Sequence, residues 1–209
     1  VAVLRTARYA TAARVSLRQG DRIILEALVW GVDPGDMTLE HDVTPKPEVP
    51  GPDDVPSRAD RVAALPPDQP GPPRLPFFEN FDQHPLQWVE NWPPAGPQEP
   101  ITRHWLRYRP TPRFEDPWVD ACRLLIPVDT FGWPAASQAH AWIDPPQAVA
   151  VTVDLQVGFH RYTEDEWLLV EAVSPIATAG LASATARVWD RSGRFVASGG
   201  QTMLCRRAS

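Results

Sequence analysis

Asp129, Thr152 and Gln201 are the residues of this 209-residue chain whose types and settings are best suited to chemistry. Asp129 follows an apolar run with helical spacing, DPWVDACRLLIPVD. Thr152 lies inside an alternating strand pattern, AVAVTVDLQVGFHR, and Gln201 interrupts the last strand pattern, RFVASGGQTMLCR. A buried polar side chain costs free energy unless it is hydrogen-bonded, so three of them within core-forming segments require a reason. A carboxylate can accept a proton from water. An amide can donate to one partner while accepting from another, and a hydroxyl offers one donor and two lone pairs. Together they can hold and polarise one water molecule with no nucleophilic side chain, which is what a hydrolysis needs.

Each residue also has a plainer reading. Asp129 suits the N-cap of a short helix over residues 130–136. Thr152 suits a strand because threonine is a good strand former. Gln201 shares an alternation face with Phe195, Ala197, Gly199 and Met203, so it points toward apolar neighbours and is the hardest of the three to explain that way. In 149–159 the alternation puts Val149, Val151, Val153, Leu155, Val157 and Phe159 on one face. Thr152, Asp154, Gln156 and His160 fall on the other, which predicts that Thr152 looks away from any helix packed on the valine face.

The elements that must position these residues follow from pattern and punctuation. Residues 1–32 read as β structure, with strands near 1–5, 13–18 and 23–32 and a turn at Gln19-Gly20-Asp21. Strands without a helix cannot cover their own apolar face, so this segment needs a partner layer that it does not contain. Residues 33–76 carry a proline every few positions with acidic residues between them, which predicts an extended linker and separate units on either side. Within it, Ser57 can cap a short helix up to Leu65. Beyond it, 77–89 and 101–109 read as strands, with a loop at 93–100 between them. Asp116-Pro117 opens a helix, with Asp as cap and Pro at the first helical position. Val119, Cys122, Leu125 and Ile126 form its apolar stripe, and Pro127 kinks or ends it. Three strand patterns follow, 149–161, 166–189 (bent at Pro175 or Gly180) and 194–206, with a hairpin turn at 190–193. That order is α+β, one helix on a strongly curved antiparallel sheet.

Composition narrows the function. A net charge of -6 argues against a nucleic-acid partner, because there is no excess of cation to neutralise phosphates. Lys46 is the only lysine, a compositional bias rather than a binding signal. Cys122 and Cys205, the only cysteines, sit in helix and strand patterns and read as two buried thiols in a reducing cytoplasm rather than a disulfide. The apolar runs are short and broken by Arg, Asp or Pro, so no membrane insertion is expected. The start, VAVLRTARY, opens directly in a strand pattern and does not resemble a signal peptide, so the segment before it is expected to be missing. The five histidines show no metal-ligand spacing. There is no Gly-rich phosphate loop, GxSxG elbow or Cys–His signature, and no cofactor is expected. The tryptophans, among them Trp88, Trp92, Trp105, Trp118, Trp133 and Trp142, read as core or pocket wall.

Four segments, VTVDLQVGFHR, the EWLL within 165–169, SPIATAGLASATARVWDRSGRFVASGGQ and PVDTFGWPAA, occur in the order in which they resemble the double-hotdog acyl-CoA thioesterases, the type II thioesterase family. The likeness covers most of 101–206 and, more weakly, 1–32. It implies a double hotdog, each half a curved antiparallel sheet wrapped around a helix. Residues 1–32 would be the C-terminal strands of a first hotdog whose start is missing, 33–76 the linker, and 77–209 a complete second hotdog. The resemblance places a water-orienting Asp, Thr and Gln at Asp129, Thr152 and Gln201. It implies hydrolysis of fatty acyl-CoA to free acid and CoA, with backbone N–H groups near the helix meeting the oxyanion, and a homo-oligomer, a dimer of double hotdogs or higher. Given its face, Thr152 is expected to meet the first hotdog. Two alternatives stand beside this: a degenerate hotdog module that binds acyl-CoA or mediates oligomerisation, and a hotdog enoyl-CoA hydratase using Asp154 and His160.

Overall fold

The computed structural model of the chain describes residues 1–33, 35, 39–69, 71–72, 75–91, 94–140 and 148–207. Trp92 and Trp142 lie outside them. The chain forms two compact units, Val1–Asp42 and Val43–Ser209. The second begins within the proline-rich stretch rather than after it.

The first unit is an antiparallel meander of β1 (Ala2–Thr6), β2 (Ala10–Gln19) and β3 (Arg22–Val32). The turn between β2 and β3 uses Gly20 at φ +58°, a left-handed conformation that glycine adopts without steric cost. Ile24, Leu28 and Trp30 of β3 are at least half exposed and, among the described residues of this unit, Ala12 alone of the apolar ones is buried, so the described meander carries no layer of its own to cover them.

The second unit holds the helices and a six-stranded antiparallel sheet. α1 (Arg58–Ala63) starts at Ser57 with a capping box: the Ser57 hydroxyl accepts from Asp60 N–H and the Asp60 carboxylate accepts from Ser57 N–H. β4 (Phe81–Pro85) is short because 76–80 forms a turn of 3₁₀ helix begun by Pro76, where alternation alone predicts strand from residue 77. β5 (Ile101–Tyr108) follows. The expected helix is three short pieces in series, α2 (Pro117–Cys122), α3 (Leu125–Thr130) and α4 (Gly132–Gln138). Asp116 caps α2 through Oδ1, which accepts from Trp118 and Val119 N–H. The helix is interrupted at Arg123 and Leu124, four and three residues before Pro127, and the Arg123 carbonyl that a proline at 127 cannot bond accepts from the Tyr108 hydroxyl instead. Pro127 itself sits in the first turn of α3, where its missing N–H is not needed. The last strands are β6 (Ala148–Phe159), β7 (Leu168–Thr178), β8 (Leu181–Asp190) and β9 (Phe195–Arg207), and the sheet order is β4-β5-β7-β8-β9-β6. Both bend signals in 166–189 are used: the β7–β8 pairing shifts register next to Pro175, and Ala179-Gly180, both at positive φ, form the hairpin turn.

The helices lie on one face of this sheet. Leu124, Val128, Phe131 and Ala135 pack against Leu106, Leu168, Val170, Val188 and Ala197. The buried helical face is therefore Asp120, Arg123, Leu124, Pro127, Val128 and Phe131; of the predicted stripe, Ile126 packs on this core half-buried, and Val119 and Cys122 do not. Val119 and Cys122 are exposed because an internal ion pair, Arg123 Nε to Asp120 Oδ1 at 3.2 Å, takes the inward positions of α2. Cys205 is half-buried, so the thiols are free and neither is buried, contrary to the expectation of two buried thiols.

The other face is covered at one end by residues 43–55, which have no regular structure except a 3₁₀ turn at Pro52–Asp54. Val49 packs on Trp105, Trp167, Leu169 and Trp189. The indole N–H of Trp105 donates to Pro50 O at 2.8 Å and that of Trp189 to Thr44 O at 3.0 Å. His84 Nδ1 donates to Val55 O at 2.7 Å. Residues 168–172 of β7 are consequently all buried, where a one-sided strand would alternate.

Candidate active site

The structure brings Asp129, Thr152 and Gln201 together. Gln201 leaves β9 toward the helices and is 4% exposed. Its Nε2 donates to the backbone carbonyl of Asp129 at 2.6 Å, which turns its Oε1 toward Thr152. The Thr152 hydroxyl lies 2.9 Å from Asp129 Oδ1 and 3.0 Å from Gln201 Oε1. Asp129 is half-buried near the end of α3 and caps nothing, and Thr152 is exposed, so the cluster is anchored at Gln201 and open at Thr152.

Simple alternation puts Thr152 on the wrong face, and the structure shows why. Thr152 pairs with Met203 while Asp154 pairs with Thr202, so Val153 is an extra residue in β6. Such a bulge reverses the parity of the strand beyond it. Ala150 and Thr152 before it, and Leu155 and Val157 after it, all face the helices, while Val149, Val151 and Val153 point outward. A second shift, between Val188 and Trp189, separates Phe195 from the face of Ala197, Gly199 and Gln201 and sends it to the tryptophan cluster.

Two glycines that residue-type reasoning passed over make room for this arrangement. A Cβ on Gly132, the first residue of α4, would fall 2.6 Å from Gln201 Cδ, 3.0 Å from Ala184 Cβ and closer still to Gln201 Nε2. A Cβ on Gly199 would fall 2.6 Å from Val128 Cγ1. The signal available in sequence was small residues at facing positions: Gly132 after Phe131, Ala184 beside Gln201 in the ladder, and Gly199 two residues before Gln201.

His160, the other candidate acid–base group, is engaged in structure. Its Nε2 is 2.8 Å from Ser198 Oγ and its ring stacks on Phe195 at 4.9 Å. Among the described residues there is no group of His, Cys, Asp and Glu able to hold a metal ion.

A cavity of about 270 Å³ lies beside α4, walled by Phe78, Trp88, Phe131 and Trp133 and reached by Gln83, His104 and Arg58. His104 stacks on Phe131 with ring centroids 4.4 Å apart. Burial, reinforced by the Arg58 charge, pushes its pKa down from 6.5 to about 3, so the ring is neutral at ordinary pH.

The family model described as the acyl-CoA thioesterase C-terminal domain matches residues 52–205. The chain belongs to the acyl-CoA thioesterase family. Thioester hydrolysis is the chemistry of that family, and the carboxylate–hydroxyl–amide cluster lies inside the matched region. Solved structures share the hotdog fold. Acyl-CoA thioesterase II TesB2 from Mycobacterium marinum is 22% identical, with a TM-score of 0.75 over 99% of this chain and 72% of that one. A thioesterase from Novosphingobium aromaticivorans, whose assignment is itself provisional, is 21% identical, with a TM-score of 0.72 over 97% and 70%. A hot dog fold protein from Alicyclobacillus acidocaldarius is 19% identical, with a TM-score of 0.66 over 99% and 71%. No curated protein matches the chain. Among the described residues no helix is long and apolar enough to cross a membrane.

Proposed function

We propose that this thioesterase hydrolyses fatty acyl-CoA to free acid and CoA through a water held by Asp129, Thr152 and Gln201. The carrying observation is the closure of the three side chains on one another from α3, β6 and β9. Thr152 donates its single proton to the Asp129 carboxylate, which leaves the second carboxylate oxygen for a water proton. The water attacks the thioester carbonyl carbon as Asp129 takes that proton. The C–S bond then breaks, and the departing thiolate recovers the proton from Asp129. Gln201 Nε2 carries two hydrogens, one of them used on Asp129 O, so the other is available to the water or to the developing oxyanion.

The test is thiol release from a panel of short-, medium- and long-chain acyl-CoAs by the folded chain. Silence across the whole panel overturns the reading. The free thiols Cys122 and Cys205 support a reducing compartment. Homo-oligomerisation is supported by the edge position of β6, whose Val149, Val151 and Val153 are exposed, and sedimentation analysis checks it.

A further inference from the structure

The cavity beside α4 contains polar groups for which the hydrolytic trio has no use. Gln83 on β4 and His104 on β5 both face the helices, and Gln83 Nε2 lies 3.1 Å from His104 Nδ1. With the amide donating, Nδ1 is an acceptor and the ring proton sits on Nε2. That Nε2–H has no hydrogen-bond partner among the described residues. Gln83 is 93% buried, and its Oε1 is a buried acceptor with no partner either. One donor and one acceptor thus stand without a protein partner in a site walled by Phe78, Trp88, Phe131 and Trp133, with Gln98, Thr102 and Ser137 also at its lining. A plain alkyl group filling the cavity would leave both unpaired at a cost.

A hydroxyl meets both needs, since it can accept from His104 Nε2–H and donate to Gln83 Oε1. A carboxylate meets only one. It has no proton for Gln83 Oε1 and would set negative charge against that oxygen, even with Arg58 at the cavity. Phe131 and Trp133 wall the cavity, and the glycine between them rests on the Gln201 side chain. What fills the cavity is therefore one residue away from the water-holding cluster. We propose that it receives the acyl group of the substrate and that His104 and Gln83 select acyl groups bearing a hydroxyl. This rests on the thioesterase reading above. At about 270 Å³ the cavity is near the small end of ligand pockets, which run from ~300 Å³ upward, so a medium-length hydroxyacyl group suits it.

The experiment measures kcat/KM of the full chain on matched medium-chain CoA thioesters: unsubstituted, hydroxylated toward the distal end, and ending in a carboxylate. The hydroxylated substrate should be preferred by ~10-fold or more, because a site that hydrogen-bonds a substrate hydroxyl rejects the analogue lacking it. His104→Phe and Gln83→Leu should each bring the ratio close to one, by slowing the hydroxylated substrate and lifting the cost that the unpaired group imposes on the plain one. Activity on the plain substrate shows that each variant is folded. A wild-type ratio near one, a ratio that survives both substitutions, or a preference for the carboxylate would overturn this assignment and leave the hydrolytic reading standing. Absence of thiol release from all three would overturn the hydrolytic reading, and the acyl assignment with it. As a direct readout, the His104 Nε2–H resonance should shift on adding the free hydroxy acid and not on adding its plain counterpart. The reverse result counts against the proposal.

Discussion

The Thr152 hydroxyl has one proton and two oxygens within reach, Asp129 Oδ1 at 2.9 Å and Gln201 Oε1 at 3.0 Å. That imbalance ties the three residues into a single unit, because the choice Thr152 makes sets what Asp129 can accept. Asp129→Asn should lower thiol release by about 100-fold or more with unchanged circular dichroism, since the amide cannot take the water's proton. Thr152→Val keeps the shape and removes the proton, and should cost a similar factor, whereas Thr152→Ser should retain most of the rate. Equal rates for the Val and Ser variants would detach the hydroxyl from the chemistry. At this scale the sequence was informative about type: an Asp, a Thr and a Gln each stood out against apolar neighbours. It was misleading about the direction of Thr152. Periodicity assumes an unbroken two-residue repeat, and Val153 breaks it next to the residue that matters.

Elements, not side chains, decide whether these groups meet. α3 and α4 abut at Phe131 and Gly132, and the absence of a side chain on Gly132 lets the Gln201 amide reach the Asp129 carbonyl across the junction. Gly132→Ala should therefore destabilise the chain by about 1–3 kcal/mol, as overpacking does, and also reduce turnover by displacing Gln201. Chemical denaturation and thiol release measured on the same variant check both parts. Full activity in that variant would mean that Gln201 can be moved freely. The succession of strands along the chain and most of their bounds were legible because 101–109 and 194–206 carry strong patterns bounded by turns, whereas their order in the sheet was not. The helix was legible as one element and is built as three. Its inward face includes Asp120 and Arg123, whose ion pair has no hydrophobic signature to read. The strand expected from residue 77 gave way to a 3₁₀ turn because Pro76 suits a helical start better than a strand interior.

Across the whole molecule, the buried imidazole of His104 links stability to acid. Its folded pKa of about 3 lies below the usual 6.5 because of burial first and the Arg58 charge second. The unfolded chain therefore binds a proton near pH 6.5 that the folded chain refuses, and stability falls as pH drops from there toward 3. Asp120 and Asp190 act lower down. Burial alone would raise their pKa values, but hydrogen bonds and arginine partners outweigh it and hold both below 3.8, so their contribution is lost only as pH falls through that region. Denaturation midpoints from about pH 7 to about pH 4.5 should decline, and His104→Phe should flatten that decline. A slope left intact by the substitution would place the acid sensitivity elsewhere.

Residues 43–55 read in sequence as linker, and proline spacing does say extended. What it cannot say is that this chain, whose own regular hydrogen bonding is limited to the 3₁₀ turn at Pro52–Asp54, will be held by two indoles and an imidazole on a sheet face. Trp105 and Trp189 are 0% and 1% exposed, and each has its only polar atom bonded to this segment. The chain thus carries an optical gauge in its own tryptophans. Peeling the segment away would wet both rings at once, so a red shift in their emission ahead of the main unfolding transition would time its release, and a single coincident transition would show that the proline-rich segment melts with the sheet it covers.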